Sequence, residues 1–258
     1  MTSTAAAPPP RATYRRLSVE KRRAQLLLAA LGLFAHRAPD EVSLDEVAAA
    51  AGVSRPLVYR YFPGGRQQLY EAALGSAADE LKLCFTEPQV GPPTERVARV
   101  LDRYLRFVDE HDAGFSALLR GGSVAETSRT TTIVDGVRRA AAEEILHHLG
   151  RVGGDGAPPP GPRLRMMVRS WIASVEAASL IWLDERKQPS AAELRGWLVD
   201  HLIALLTATA ATDPETATVV RDLLALEAAE GPAGRLAERV IPVVADAAHL
   251  LPPAPGSH

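Results

Sequence analysis

The chain is poor in cysteine and in aromatic residues. Of its 258 residues one is cysteine and 5% are aromatic. The single thiol, Cys84, excludes an intrachain disulfide and a cysteine metal cluster within one subunit, and we treat it as a small apolar side chain. Hydrophobic residues make up 47% of the sequence, which is enough to build the core of one or two domains by packing alone.

Long uncharged apolar runs are missing as well. No stretch of eighteen or more apolar residues is free of charge, and the basic residues near the N-terminus follow a proline-rich segment without an apolar segment after them. We therefore expect no membrane span, no signal peptide and a cytoplasmic location.

The sequence contains no motif typical of catalysis or of cofactor binding. It has no phosphate-binding glycine loop, no nucleophile elbow and no zinc motif. Adjacent helical residues point about 100° apart, so His147 and His148 cannot form a metal-binding pair and are expected at a solvated helix end. The pair Glu143 and Glu144 is expected on an exposed face. We expect no enzyme activity, no cofactor and no metal.

Proline and glycine divide the sequence into segments of helical length. Between these breaks apolar residues recur every three or four positions, and no β-branched run alternates with polar residues. The chain is therefore expected to be all-α. Serine followed three residues later by glutamate predicts helix starts at Ser43 and Ser190, with helices near 43–51 and 190–210.

Charge is distributed unevenly along the chain. Residues 11–70 hold ten lysine and arginine residues against five acids, a local charge of +5, whereas the whole chain has a net charge of −2. The remaining residues then carry −7. A basic N-terminal segment on an acidic body favours contact of that segment with a polyanion.

Residues 43–62, SLDEVAAAAGVSRPLVYRYF, have the pattern of a helix-turn-helix. The first helix ends at Gly52, which can adopt the positive φ of a tight turn, and Ser54 is expected to cap the second helix. Val58 and Phe62 are expected to hold that helix to the core. Its other side chains then face outward, where arginine and tyrosine suit phosphate and base-edge contacts in a DNA major groove. A pair of short helices also occurs in other all-α proteins. The prediction of DNA binding therefore rests on the arginine and tyrosine side chains on the outer face of the second helix.

The segment AGVSRPLVYRYFPGGRQQLY resembles the DNA-binding domain of the TetR family of one-component regulators, together with the SLDEVAAAAG element and an amphipathic helix at 20–37 before it. The resemblance implies an N-terminal three-helix helix-turn-helix domain followed by a larger helical ligand-binding and dimerisation domain. It also implies a homodimer, double-stranded operator DNA and a small-molecule inducer or corepressor. The segment EAASLIWLDERKQPSAAELRGWLVDHLIALL is similar to the family's last two helices.

Residues for DNA contact follow from this resemblance by position. Ser43 is similar to the helix cap that also contacts phosphate, the start of the second helix lies where the family contacts bases, and the tyrosines lie at its phosphate-contacting positions. The predicted DNA-binding residues are Ser43, Ser54, Arg55, Pro56, Leu57, Tyr59, Arg60, Tyr61 and Arg66. Leu57 has an alternative role as part of the core.

One position departs from the family's pattern. The family usually has lysine three residues after the phenylalanine, at the start of the fourth helix, where this chain has Gly65. The next residue, Arg66, is expected to supply the same cation after a one-residue insertion.

The helices expected near 163–187 and 190–210 are the most apolar. Apolar residues cover more than one face of each, which is typical of a helix that packs both on its own core and on a second subunit. The predicted dimer interface consists of Trp182, Trp197, Leu198, Leu202 and Leu205, with burial inside one chain as the alternative.

A ligand site is expected between the remaining helices, lined by apolar groups with a few polar anchors. The candidates, each with plain core packing as its alternative, are Tyr104, Phe107, His111, Phe115, Met166, Met167, Trp171 and Glu176. Such a lining favours a hydrophobic effector.

These predictions divide the chain into a disordered arm (1–15), a helix-turn-helix domain (16–65), a helical ligand-binding and dimerisation domain (66–212), and additional C-terminal helices with a flexible tail (213–258). The predicted function is a homodimeric repressor that a small molecule releases from its operator; an activator would have the same fold and site. The alternative is an all-α ligand-binding protein or enzyme whose basic N-terminal helices contact a protein partner.

Coupling between ligand binding and DNA binding is expected to run through the helix starting near Arg66, because that helix alone would join the two domains.

Overall fold

A computed structural model describes residues 18–88, 90–121, 128–150 and 160–248. These ranges form eleven α-helices, a single 3₁₀ turn at Pro39–Glu41 and no strand, which confirms the all-α prediction. The helices are α1 (Val19–Phe34), α2 (Leu44–Ala50), α3 (Arg55–Tyr61), α4 (Gly65–Leu83), α5 (Pro93–Glu110), α6 (Asp112–Gly121), α7 (Ser128–Gly150), α8 (Pro162–Asp184), α9 (Ala191–Ala210), α10 (Pro214–Leu224) and α11 (Pro232–Ala248). The predicted arm at 1–15 lies outside the described residues, as does the tail after 248.

Both predicted capping boxes are present. The Glu46 amide donates to Ser43 Oγ at 3.2 Å, while the Ser43 amide donates to the Glu46 carboxylate at 2.8 Å. Ser190 and Glu193 repeat the arrangement at the start of α9. Each pair satisfies amides that have no partner within the helix, so the sequence pattern fixes where these two helices begin.

The turn between α2 and α3 depends on a glycine. Gly52 has φ of +62°, its amide donates to Ala49 O, and the amide of Val53 donates to Ala48 O. This pair of bonds is a Schellman motif, which ends a helix on a left-handed residue that glycine adopts without steric cost. The chain then reverses direction and α3 begins three residues later.

Helices α1, α2 and α3 form the N-terminal part of the molecule, called here the head (residues 18–62). Its core is built from one face of each helix and contains Leu26, Ala30, Val47, Val58 and Phe62, all of them buried. The Arg23 guanidinium lies 5.4 Å from the centre of the Phe62 ring, a cation–π contact across the bundle.

The remaining helices form the body (residues 65–248 as described). Helix α4 packs on α1 and also on α6 and α7, while α8 lies between α7 and α9 and α5 packs on α9. The predicted additional helices are α10, which packs on α9 and α7, and α11, which packs on α9 and α5. The Glu227 carboxylate after α10 accepts from the Thr94 amide and hydroxyl at 2.7 and 2.6 Å, so it caps the first turn of α5.

The expectation that α4 alone joins head and body is wrong. Helix α6 also packs on α1. Gly114 lies where they meet, since a β-carbon there would be 3.7 Å from Leu31 and 3.9 Å from Ala77 of α4. Head and body are therefore in contact through two neighbouring helices.

Helix α8 is long and apolar enough, by length and composition alone, to cross a membrane. Within the fold it packs on α7 and α9, and its residues Val168, Trp171 and Val175 are buried in the core. This packing makes α8 a core helix of the body.

Candidate DNA interface and ligand cavity

Helix α3 has a buried side and an exposed side. Val58 and the following Phe62 are buried in the head, as expected from their spacing. Arg55, Tyr59 and Arg60 are exposed. The helix is therefore fixed through its apolar side and presents two cations and a phenol to solvent.

Arg55 has two neighbours on this surface. Its Nη1 donates to Asp45 Oδ2 at 3.0 Å, and its guanidinium lies 5.6 Å from the centre of the Tyr59 ring. Exposed ion pairs contribute about 0 to 1 kcal/mol, so a stronger acceptor can replace Asp45 at low cost. The side chain is held in place yet remains available to a base or a phosphate.

The start of α2 carries a second ordered group of charges. The Glu46 carboxylate accepts from Arg37 Nη1 at 2.6 Å and from the Ser43 amide and hydroxyl. The bond from Arg37, followed by those from Ser43, lowers the pKa of Glu46 to about 2. The cap therefore stays ionised, and it holds the exposed Ser43 beside the helix N-terminus, where backbone amides favour an anion.

Several predicted DNA-binding residues differ in detail from their expected roles. The backbone of Ser54 occupies the cap position of α3, but its hydroxyl makes no capping bond, so the expected side-chain cap is absent. Tyr61 is half-buried and packs against the core rather than lying fully outside. Leu57 is half-buried, and Pro56 is exposed.

The predicted replacement cation lies at the start of α4. Gly65 has φ of +71°, and Arg66 follows it in the first turn. Arg66 is exposed and donates from Nη1 to the carbonyl oxygen of Asp40 at 2.7 Å. The bond holds this guanidinium against the 3₁₀ turn that precedes α2.

The predicted dimer interface needs correction. Trp182, Leu198 and Leu202 are buried within the chain, so they have no surface left to offer a partner. The indole of Trp182 donates to Pro189 O at 2.7 Å, which ties it to the loop before α9. Trp197 is 55% exposed and Leu205 is half-buried, so these two remain available.

The body contains a cavity of about 110 Å³ between α4, α5, α7 and α8. Of the predicted ligand residues, Tyr104, Trp171 and Glu176 line it. Most of the wall is apolar and includes Leu81, Phe85, Val97, Leu101, Val137, Ala141, Ile145, Ile172, Val175 and Leu223. The Trp171 indole donates to Leu198 O at 3.0 Å, which fixes its ring in the wall.

The other predicted ligand residues lie elsewhere. Phe107, Phe115 and Met167 are buried but do not line the cavity, so core packing is their role. His111 is the C-cap of α5, with its ring stacked 4.8 Å from that of Phe107. Met166 is largely exposed on α8.

Charged residues of the cavity wall were missed by the sequence-based prediction. Arg138 on α7 pairs with Glu176, with Nη2 and Nε at 2.9 and 3.0 Å from Oε2. Burial is the main cause that raises the pKa of Glu176. Arg96 on α5 and His148 on α7 line a further part of the wall.

The expectation that His148 and Glu144 are solvated is wrong, because both line the cavity. His148 has only 16% of its side chain exposed, and its Nε2 lies 3.1 Å from Glu144 Oε1. A single histidine at the end of a polar helix gives no periodic signal, so only the packing of α7 against α5 shows its role.

The fold agrees with the comparisons to known proteins. A family model for the bacterial regulatory proteins of the tetR family matches residues 26–73, and one for the tetracyclin repressor-like C-terminal domain matches residues 93–205. A solved tetR-family transcriptional regulator from Streptomyces coelicolor is 49% identical, with 89% of this chain and 100% of that chain covered and a TM-score of 0.77. The chain belongs to the TetR family. It is therefore a DNA-binding transcriptional regulator with a helix-turn-helix, and its relatives are regulators rather than enzymes.

Other TetR-family relatives are more distant. The HTH-type transcriptional activator FasR from Mycolicibacterium smegmatis is 25% identical over 171 residues, which cover 66% of this chain and 75% of that protein. A regulator structure from Rhodococcus is 24% identical with a TM-score of 0.59, covers 72% of this chain and 98% of its own, and supports the fold alone. The C-terminal family model ends at residue 205, so α10 and α11 of this TetR-family chain lie beyond it.

Proposed function

We propose that this chain is a homodimeric repressor that leaves its operator when a small apolar molecule occupies the cavity of the body. The observation that carries the proposal is α3, which is anchored by Val58 and Phe62 and turns Arg55, Tyr59 and Arg60 to solvent. A short helix with this division of residues suits insertion into a major groove. The proposal also includes a cytoplasmic location and the domain limits 16–65, 66–212 and 213–258.

Direct DNA contact is assigned to the exposed groups around α3. Ser43 and Arg66 flank the helix on the side of the 3₁₀ turn, Tyr59 and Tyr61 are placed at phosphates, and Arg55 is placed at a base edge. Pro56, Leu57, Ser54 and Arg60 complete the set, with Leu57 and Tyr61 contributing the exposed part of half-buried side chains. We expect phosphate contacts to supply affinity and Arg55 to supply sequence preference.

Selection of binding sites from random duplex DNA tests this assignment. We expect a two-fold symmetric consensus, because two recognition helices related by a dimer axis meet two half-sites. Tyr59→Ala and Arg66→Ala should then weaken binding to every selected site and flatten its salt dependence. Arg106→Ala, which removes an exposed arginine from α5, is the matched control and should bind as the parent does. Selection that returns no consensus would contradict sequence-specific binding.

The dimer is assigned to the exposed sides of α8 and α9. Ile181 and Trp197 are 60% and 55% exposed, and Leu205 is half-buried. Between them the exposed positions are small, Ala177 on α8 and Ala204 on α9, which lets a partner helix approach closely. We call these five residues the α8–α9 face. Two copies of this face would form a four-helix contact that buries the exposed tryptophan.

The oligomeric state tests the α8–α9 face. We expect Trp197→Asp to shift the protein toward monomer in sedimentation at micromolar concentration, because a charge would enter an apolar contact. Leu83→Asp is the control, since it places the same charge on an apolar residue of α4 that is even more exposed, at 75%. If Trp197→Asp stays as dimeric as the parent, the interface lies elsewhere.

Release of DNA requires that the ligand distinguish two arrangements of the head relative to the body. Helix α4 suits this role because Leu81 lines the cavity and Arg66 lies beside the head, about 22 Å away along the helix. Helix α6 provides a second contact through Gly114. We expect Gly114→Val, which adds bulk between α1 and α4, to change operator affinity while cavity binding is retained.

An activator is the second candidate, and one observation favours it. FasR, a relative at 25% identity, is named a transcriptional activator. Transcription in vitro from a promoter carrying the selected operator separates the two. A rise in transcript on addition of protein would replace the repressor proposal with the activator, and the DNA interface would stay as assigned.

A further inference from the structure

The cavity has apolar walls and charged groups in two places. In the first, the guanidinium of Arg138 and the carboxylate of Glu176 form a close pair between α7 and α8. Their opposite charges compensate each other within the wall. The second place is near the start of α5 and holds Arg96 together with His148 and the carboxylates of Glu87 and Glu144.

Arg96 lines the cavity with only 8% of its surface exposed. Its Nη2 lies 2.6 Å from Nδ1 of His148, and its Nε has no hydrogen-bond partner among the residues that the structure describes. Within the same residues, no carboxylate oxygen lies within 4.0 Å of this guanidinium. Burial has the largest effect on the pKa of Arg96 and lowers it, whereas Glu87 and Glu227, which lie farther away, raise it. The neighbouring Arg99 and Arg103 differ, because both bind the carboxylate of Glu87 at 2.6 and 2.7 Å.

His148 does not balance the charge of Arg96. A guanidinium has donors only, so Nδ1 of His148 must accept, and the ring proton lies on Nε2, which faces Glu144 at 3.1 Å. Burial and then the positive charge of Arg96 lower the pKa of His148, which keeps the ring neutral. Although Nε2 lies near Glu144, it makes no hydrogen bond among the residues that the structure describes. Arg96 is therefore left as a buried cation with a neutral partner.

A buried cation without a carboxylate is unfavourable, and the cost is removed when an anion reaches it. Burial is also the main cause that lowers the pKa of Arg96. A guanidinium offers a planar fork of donors that suits a carboxylate, and Nε with its free hydrogen belongs to that fork. The rest of the wall, including Leu101 and Trp171, is apolar along most of its length, and the hydroxyl of Tyr104 is a further buried polar group without a hydrogen-bond partner among the described residues.

We propose that the ligand of this cavity is an amphipathic carboxylic acid, with its carboxylate bound by Arg96 and its apolar body lying along Leu101, Tyr104 and Trp171. The assignment rests on the proposed function, because it names the chemical class of the effector. The cavity of about 110 Å³ is smaller than one of about 150 Å³ that accepts benzene, so its volume favours a short chain over a polycyclic compound.

Calorimetry without DNA tests the assignment with pairs of probes of equal length. Alkanoates of six, eight and ten carbons are compared at neutral pH with the corresponding 1-alkanols and 1-alkylamines. We expect the best alkanoate to bind about 10- to 100-fold more tightly than its alkanol, as charge-assisted hydrogen bonds do relative to neutral ones in a buried site. The alkylamine should bind more weakly than the alkanol, because its cation would face Arg96.

Variants at two arginines of α5 provide the controls. Arg96→Met keeps a long apolar side chain and should make the alkanoate and the alkanol bind equally, while Arg96→Lys should keep a reduced preference for the alkanoate. Arg106→Met removes the same charge from the same helix but from an exposed side chain that does not line the cavity, so it should leave the preference unchanged. If Arg96→Met loses the helical circular dichroism spectrum of the parent, Arg96→Lys takes its place in the comparison.

The outcomes separate this inference from the proposed function. Equal binding of alkanoate and alkanol by the parent protein overturns the carboxylate assignment and leaves an apolar effector in place. Loss of the preference in Arg106→Met also overturns it, since the net charge of the protein would then be the cause. Binding of no probe at millimolar concentration overturns both the assignment and the apolar effector. Tight alkanoate binding without any change in operator affinity supports the assignment and overturns release by ligand.

Discussion

The head and the body use cations in opposite ways. Arg55 and Arg60 of the head, with Arg66 beside it at the start of α4, are exposed, and each can move to meet a partner outside the chain. In the body, Arg96 is buried against His148 in the wall of a cavity. An exposed guanidinium is well hydrated and suits a long polyanion, whereas a buried one is accessible only to a molecule small enough to enter.

The exposed and the buried arginines also differ in how their side chains are held. Arg55 and Arg66 bind a carboxylate and a carbonyl oxygen that solvent also reaches, so each contact can be exchanged. Arg96 is fixed by the half-buried imidazole of His148, at 2.6 Å from Nη2 to Nδ1. The head therefore has adjustable contacts for a large partner, and the body has a preorganised contact for a small one.

The largest expected effect is on the free energy of unfolding, and it compares the buried and exposed sides of α3. Phe62→Ala should lower the free energy of unfolding by about 3 to 5 kcal/mol, because it leaves a cavity in the core of the head and removes the contact with Arg23. Tyr59→Ala should change it by less than about 0.5 kcal/mol, since that ring is exposed. Urea denaturation measures both, and equal losses would mean that Tyr59 is structural.

A second effect separates two exposed arginines by their targets. Arg55→Ala should cost about 1 to 3 kcal/mol at the selected operator and relax the preferred base at one position, as loss of a bidentate base contact does. Arg60→Ala should weaken specific and random DNA alike and lower the salt slope by about 1. Fluorescence anisotropy at two salt concentrations with both DNAs measures these changes. Identical behaviour of the two variants would remove the base contact from Arg55.

The helix-turn-helix could be predicted from the sequence because its determinants are local. The Ser43–Glu46 cap, the positive φ at Gly52 and the spacing of Val58 and Phe62 each involve residues close in sequence. Their physical requirements leave little choice of residue type, so the pattern predicts the structure. The hydroxyl of Ser54 shows the limit, because a cap position in sequence does not ensure a cap bond.

The cavity could not be predicted because its determinants are distant in sequence. Tyr104 and Phe107 lie three residues apart on α5 and are both buried, yet only Tyr104 reaches the cavity. Arg96 and His148 meet across 52 residues. On α9, Trp197 is exposed and its neighbour Leu198 is buried. Because apolar residues cover several faces of this helix, its sequence does not show which face is buried.

A smaller effect tests whether the buried cation of the body contributes to stability. Arg96→Met in the absence of ligand should change the free energy of unfolding by less than about 1 kcal/mol, because removing a poorly compensated buried charge offsets the hydrogen bond lost at His148. With octanoate at a hundred times its dissociation constant, the parent should gain about 2.7 kcal/mol, and Arg96→Met should gain much less at the same concentration. A large loss without ligand would mean that Arg96 is a structural cation.

The smallest effect is a pH dependence at the same contact. Because the fold lowers the pKa of His148, mainly by burial, the unfolded chain binds more protons between the two pKa values, and stability rises with pH in that interval. This contribution to stability is complete above the pKa of the unfolded chain, about 6.5, and is lost as the pH falls below it.

His148→Asn keeps an oxygen that can accept from Arg96 and removes the titration, so its melting temperature should fall less than that of the parent between pH 7.5 and 5.5. His147→Asn, at the exposed neighbouring residue, should follow the parent. If His148→Asn also follows the parent, the ring of His148 is not held neutral by the fold, and Arg96 would then require a different account.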